Sequence, residues 1–265
     1  MTSSSLRDSL KIQYYPYAKI NLGLFITGKR SDGYHLLETL LYPFTALEDE
    51  LSLTASTADG CSLSIEGIHL TGNPRDNLCV RAYHFLEQRM GKLGGVHIHL
   101  KKGIPAGAGL GGGSSDAAFT LKGLNELFSL KLEIAELAQI GAMLGADVPF
   151  FLYGKPLLAS GIGTELSSID LNMPYEIRLI TPPIHSSTLA AYQALDYKHC
   201  VHQHSLAEIL KLPIDKWKDL LINDLEVPVF QLYPELKTIK QSFYDQGALY
   251  AAMSGSGSAV FGLFE

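Results

Sequence analysis

The sequence predicts a fold that mixes strands and helices, and three observations predict it. Residues 17–27 alternate strictly, with Ala18, Ile20, Leu22, Leu24 and Ile26 on one face and Lys19, Asn21, Gly23, Phe25 and Thr27 on the other. That is the period of a strand. Val96-His97-Ile98-His99-Leu100 alternates in the same way, and helical spacing then begins near Ser114-Ser115, carried by Ala118, Leu121 and Phe128. Between them runs Ile104-Pro105-Ala106-Gly107-Ala108-Gly109-Leu110-Gly111-Gly112-Gly113, with five glycines in seven residues. A strand, a glycine turn and a helix follow one another. Such a turn brings backbone N–H groups close to a ligand with no Cβ in the way, and the positive end of the next helix favours an anion such as a phosphate. The serine hydroxyls add donors and a possible Mg²⁺ ligand. No Lys follows the last glycine and no Rossmann unit follows the loop, so neither familiar nucleotide pattern applies. A flexible linker is the alternative, but linkers are seldom clamped between an alternating strand and an amphipathic helix.

The other elements follow in order. Residues 1–13 are Ser-rich with one Arg, lack the apolar core of a signal peptide and are short for a transit peptide, which predicts a frayed terminus. Residues 28–33 form a polar turn bounded by glycines, followed by Tyr34-His35 and the apolar stretch 36–44. Residues 50–65 read as one or two strands broken at Asp59-Gly60, and a turn at 73–77 caps a helix over about 78–90. A helix over about 132–144 ends at Gly145 and leads into Ala146-Asp147-Val148-Pro149. Ser160-Gly161-Ile162-Gly163 and 170–174 are loops, giving a domain boundary between 153 and 172 and domains of 1–155 and 156–265. Residues 175–181 form a strand, Ser187 caps a helix through Tyr192, and helices follow near 205–210 and 216–222. After Tyr233-Pro234-Glu235 another helix runs to about Tyr244. Two last strands, 248–252 and 258–264, flank a second glycine turn, Ser254-Gly255-Ser256-Gly257.

Composition narrows the partners. The chain has 265 residues, 46% of them hydrophobic and 18% charged, the balance of a globular protein. A net charge of −6 with no long Lys/Arg run argues against a nucleic-acid polymer or an anionic membrane as the main partner. No apolar run reaches membrane-spanning length. Three scattered cysteines, Cys61, Cys79 and Cys200, without a CxxC fit a reduced, cytoplasmic protein.

Several residues carry two readings each. Lys19, beside Asn21 on the less apolar strand face, is either a solvated lysine or a functional one. Tyr34-His35 is either ordinary packing or a pair that stacks on and hydrogen-bonds a flat ring. Asp147 stands just past a helix C-terminus, the unfavourable end of the dipole, and forms either an Asx turn or a carboxylate held at a site mouth. His199-Cys200-Val201-His202-Gln203-His204 holds metal-ligating side chains, but they are crowded, with no matching pair elsewhere. A polar loop is the better reading there. His97 and His99 fall on the outer face of their strand.

Three boxes resemble the motifs of the GHMP small-molecule kinases: Pro16-Tyr17-Ala18-Lys19-Ile20-Asn21-Leu22, the loop from Pro105 to Ala118, and Met253-Ser254-Gly255-Ser256-Gly257-Ser258. Asp32-Gly33-Tyr34-His35 and Gly145-Ala146-Asp147-Val148-Pro149 further resemble the members that phosphorylate a cytidine-diphosphate methylerythritol in the non-mevalonate isoprenoid pathway. The resemblance implies an α+β, two-domain fold, with an N-terminal domain like a ribosomal protein and a ferredoxin-like C-terminal domain. It implies that ATP, with Mg²⁺, gives its γ-phosphate to the 2-hydroxyl of that substrate. Lys19 and Asp147 match the catalytic pair. Pro105, Ala106, Gly107, Ala108, Gly109, Leu110, Gly111, Gly112, Gly113, Ser114 and Ser115 match the ATP phosphate loop, and Asn77 and Leu78 match positions near the adenine. Tyr34, His35 and Tyr192 match residues around the cytosine, and Asn21 and Thr188 fall on the substrate side. Two departures stand out: the sequence stops soon after its last glycine motif, and Pro182-Pro183-Ile184-His185 replaces the family's usual Pro-Gly loop.

Overall fold

The computed structural model describes residues 10–68, 73–197 and 200–265. They fold into two compact units, each assembled from separated stretches of chain. The first takes residues up to Ala18, Phe44–Pro105 and Gly111–Gly154; the second takes Lys19–Pro43, Ala106–Leu110 and Lys155–Glu265. The last crossing between them comes at 154/155. Two earlier stretches nevertheless join the second unit, because strand pairing and backbone hydrogen bonds outweigh nearness along the chain.

Among the described residues, six strands precede the glycine loop: β1 (Lys11–Tyr14), β2 (Tyr17–Lys29), β3 (His35–Glu48), β4 (Glu50–Ser56), β5 (Cys61–Gly67) and β6 (Gly95–Lys102). Five follow it: β7 (Leu157–Ser160), β8 (Glu165–Ser168), β9 (Glu176–Ile180), β10 (Tyr250–Met253) and β11 (Val260–Phe264).

In the first unit the sheet order is β1-β4-β6-β5, antiparallel except for the parallel β5–β6 pair. The helices are α1 (Leu78–Met90), α2 (Gly112–Leu127), α3 (Ile134–Leu144) and α4 (Val148–Tyr153). Ile98 and Leu100 of β6 are buried, whereas His97 and His99 alternate to the other face, half-buried. There Ser62 and Ser64 hydrogen-bond His97, and Ser64 hydrogen-bonds His99 as well. Helix α2 approaches β4 closely at Gly123, where a Cβ would stand 2.7 Å from Leu53 Cδ1. Lys11–Tyr14 is a strand rather than part of a frayed terminus, because it pairs with β4 from Lys11↔Thr54 to Tyr14↔Leu51. Its Tyr14 hydroxyl also donates to Glu126 of α2 at 2.7 Å. Residues 1–9 of that expected terminus lie outside the described residues.

In the second unit β2, β3, β7 and β8 form one sheet in that order, with Thr39↔Ala159 and Leu41↔Leu157 setting the β3–β7 register. Strands β10, β11 and β9 form an antiparallel sheet, in which Phe261 faces Leu179. The helices here are α5 (Thr188–Gln193), α6 (Leu206–Ile209), α7 (Trp217–Leu220), α8 (Glu226–Leu232) and α9 (Pro234–Asp245). Leu24, Ile26, Val229, Leu236, Phe243, Met253 and Val260 make one buried cluster. Glu226 fastens it: one carboxylate oxygen accepts from Met253 N–H at 2.8 Å and the other from Lys240 at 2.6 Å.

The less apolar face of β2 is not a solvent face. Every residue from Ala18 to Ile26 is buried, Lys19 and Asn21 included. Among the described residues, no helix is long and apolar enough to cross a membrane.

Candidate active site

In the second unit, strand spacing puts Lys19 and Asn21 on the same side of β2, each only 4% exposed. Burial of a lysine requires a partner. Lys19 Nζ donates to Asn21 Oδ1 at 2.5 Å, Asn21 Nδ2 donates to Thr39 Oγ1 at 2.9 Å, and Thr39 Oγ1 donates to Gly23 O at 2.6 Å. The second glycine turn closes on this pair. Ser254 Oγ accepts from Asn21 N–H at 3.2 Å and donates to Gly109 O at 2.9 Å. Asn223 holds the turn's shape by donating to Met253 O and Gly255 O at 2.9 and 2.8 Å. A Cβ on Gly255 would stand 3.1 Å from Asn21 Oδ1, and one on Gly109 only 2.0 Å from Ser254 O. The backbone clash makes glycine necessary at Gly109, and the positive φ at both positions favours it at Gly255 as well.

The front of the glycine loop is stitched into the same unit. Lys19 N–H donates to Leu110 O at 2.9 Å, and Ala259 N–H donates to Ala108 O at 3.0 Å. Thr188, opening α5 behind its Ser187 cap, hydrogen-bonds Ser256 at 2.8 Å. His185, in the Pro182–His185 departure, touches Gly107: a Cβ there would lie 2.3 Å from the imidazole.

His35 packs its ring against Tyr192, centroids 4.7 Å apart, and nearly parallel to Tyr197 at 5.8 Å. Its Nε2 is buried without a hydrogen-bond partner. Burial, with Lys29 nearby, lowers the imidazole's pKa. Tyr34 is 63% exposed, so the ring facing Tyr192 is that of His35.

In the first unit, the back of the loop opens α2. Gly111 precedes the helix at φ 72° and gives it no side-chain cap, and the first turn carries no acidic residue. The N–H groups at the start of that turn thus receive no side-chain acceptor from the cap. Gly113 is exposed there, Ser114 half-buried, and Ser115 buried with its hydroxyl unpartnered. Asn77 caps α1 by accepting from Cys79 N–H at 2.9 Å, and Leu78 follows, 3.8 Å from where a Gly113 Cβ would be. Asp147 precedes α4 in helical geometry without capping it, while Val148, Phe150 and Phe151 behind it are buried.

The sequence reading missed a buried charged cluster behind Pro105. Lys102 lies between Asp49 and Asp116, donating to both, at 2.7 Å to Asp116 Oδ2. Asp49 Oδ1 also accepts from the N–H groups of Gly103 and Ile104 at 2.6 and 2.8 Å. The signal was present: Lys102 continues the apolar face of Ile98 and Leu100, where a lysine needs a buried anion. Among the described residues no three His, Cys, Asp or Glu side chains gather as a metal site. His199 lies outside the described residues. His202 instead stacks on Phe25 at 3.8 Å and hydrogen-bonds Asp224 at 3.0 Å.

Comparisons with known proteins define the class first. Residues 77–155 match the model of the GHMP kinases N-terminal domain, and 199–265 that of the GHMP kinases C-terminal domain. A 4-diphosphocytidyl-2-C-methyl-D-erythritol kinase of Bacteroides fragilis is 49% identical over 94% of this chain and 91% of its own. A crystal structure of 4-(cytidine 5'-diphospho)-2C-methyl-D-erythritol kinase superposes with a TM-score of 0.82 at 37% identity, covering 95% of this chain and 90% of that one. A homoserine kinase structure from Cytophaga hutchinsonii shares the fold, with a TM-score of 0.68 at 20% identity over 99% of this chain and 87% of its own. The chain belongs to the GHMP kinases and, among them, to the 4-diphosphocytidyl-2-C-methyl-D-erythritol kinase family. Its fold is the α+β, two-domain fold of that family.

Proposed function

We propose that the chain transfers the γ-phosphoryl group of ATP to the 2-hydroxyl of 4-diphosphocytidyl-2-C-methyl-D-erythritol, in the non-mevalonate route to isoprenoid precursors. The observation that carries this reading is the buried Lys19–Asn21 pair, locked against the second glycine turn by Ser254. The close relatives of the same name support the choice of substrate.

Phosphoryl transfer asks chiefly for positioning and for neutralised charge. The loop from Pro105 to Ser115 offers N–H groups to the ATP phosphates, and Asn77 and Leu78 stand on the adenine side. Asp147 orients the acceptor hydroxyl and takes its proton as the new O–P bond forms. Lys19 stabilises the negative charge that develops. Thr188 and Asn21 serve the substrate side, and Tyr34, His35 and Tyr192 the cytosine. The unpartnered His35 Nε2 suits a base edge, since a buried ring nitrogen gains a hydrogen bond when one arrives.

Magnesium fits this donor set as a companion of ATP. The hydroxyls of Ser114 and the unpartnered Ser115 are hard oxygens in the first turn of α2, and Mg²⁺ takes its remaining ligands from phosphates and water. When bound it neutralises phosphate charge. The enzyme works in the cytoplasm, its three cysteines free thiols. The test is ADP release with the cytidine-diphosphate substrate beside homoserine, mevalonate and galactose. Release with one of the other three alcohols alone would overturn the substrate assignment.

A further inference from the structure

Thr39 is buried on β3, 3% exposed, and stands one hydrogen bond behind Asn21. A threonine hydroxyl has one proton to give and lone pairs to accept with. Here the proton goes to Gly23 O at 2.6 Å, an acceptor fixed by the left-handed turn of the backbone at Gly23 (φ 70°). Towards Asn21 the hydroxyl can then only accept. Asn21 must present its amide N–H to Thr39, which turns its carbonyl oxygen towards Lys19. The reverse orientation would set an amide N–H against the Lys19 ammonium, donor against donor. It would also ask Thr39 for a proton already committed to Gly23.

We propose that Thr39 is a positioning residue for phosphoryl transfer: its hydroxyl sets the orientation of the Asn21 amide and thereby holds the Lys19 ammonium in place. The chain of bonds has a single sense, from Lys19 to Asn21 to Thr39 to Gly23 O. Ser254 leaves that sense unchanged, because its own proton goes to Gly109 O at 2.9 Å, while Asn21 Oδ1 lies 3.4 Å away. This inference rests on the reading of Lys19 as a catalytic residue.

The test is a double-mutant cycle on steady-state kinetics with ATP and the cytidine-diphosphate substrate. Thr39→Val keeps the shape and removes the hydroxyl, and it should lower kcat about tenfold or more with KM for ATP within about twofold of the parent. Thr39→Ser should restore most of the rate. In an Asn21→Ala background the Thr39→Val step should cost nothing further, since the group to be oriented is gone. A purely structural Thr39 would give equal losses in both backgrounds, and that result overturns the proposal. So does parent-like kcat in Thr39→Val alongside a crippled Lys19→Ala. Parent-like kcat in Lys19→Ala overturns instead the reading of Lys19. If Thr39→Val does not fold, Thr39→Ala completes the same cycle.

Discussion

The imidazole of His35 lies 4.7 Å from the ring of Tyr192, centroid to centroid, with the planes 34° apart. The two residues come from β3 and α5, more than 150 positions apart in sequence, and β-pairing and helix packing unite them within one unit. A planar base can stack on such a platform, at a worth of roughly 1–3 kcal/mol per base. Tyr192→Ala should therefore raise KM for the cytidine substrate about tenfold while KM for ATP stays close to the parent value. Stacking accepts any base, so selection falls to the edge groups, and a uridine analogue should be rejected by a larger factor. Steady-state kinetics with both nucleotides checks this. Weaker ATP use with the cytidine compound untouched would mean that the aromatic residues serve the ATP side.

Asp147 and Lys19 are expected to act on the reaction rather than on nucleotide binding. Asp147→Asn keeps size and shape but cannot take the hydroxyl's proton, and Lys19→Ala removes a cation beside the developing charge. Each should lower kcat on the order of a hundredfold or more, with ATP affinity by calorimetry little changed. Near-parent turnover in Asp147→Asn would remove that residue from the mechanism.

Gly113 separates ligand space from protein space. A Cβ there would meet only Leu78 Cδ1, at an ordinary contact distance of 3.8 Å. Alanine is thus acceptable to the fold and is the better helix former by up to about 1 kcal/mol. It would also place a methyl group on the exposed first turn of α2, where phosphate is expected. Gly113→Ala should melt no lower than the parent and raise KM for ATP several-fold. Unchanged ATP kinetics would move the phosphates away from this turn.

Much of the fold was legible because its signals are local. The helix over 78–90 shows a cap and a 3.6-residue period, and its observed bounds are Leu78–Met90. The short helix Val148–Tyr153 was not foreseen: it is nearly all apolar and shows no period, although Pro149 in its first turn was a usable start signal. Glu226–Leu232 was hidden in the same way, since Pro228 reads as a breaker unless the helix begins just before it. The β7–β8 hairpin has four-residue strands, too short for alternation to declare itself, so only its glycine turn was visible. In the site, residue types and order could be read, but burial could not. Lys19 and Asn21 look like the polar face of a strand until Thr39 and Ser254, distant in sequence, close over them.

Asp116 offers a test by pH. It is buried against Lys102, with Asp49 on the other side of the same ammonium. Burial raises its pKa to about 8; Lys102 opposes the rise and Asp49 adds to it. Two carboxylates share one cation, and Asp116 Oδ1 has no hydrogen-bond partner, so ionising it is costly. In the unfolded chain the group returns to its ordinary value of 3.8. Between those two values the folded state binds a proton that the unfolded state has released. Stability from this group is therefore full below about pH 4 and falls as pH rises towards about 8. Asp116→Asn mimics the protonated form and keeps an oxygen for Lys102. Denaturant melts at about pH 5 and about pH 8 should show the variant gaining on the parent at the higher pH. Parallel losses at both values would mean that Asp116 is ionised throughout and that the cluster keeps its net negative charge.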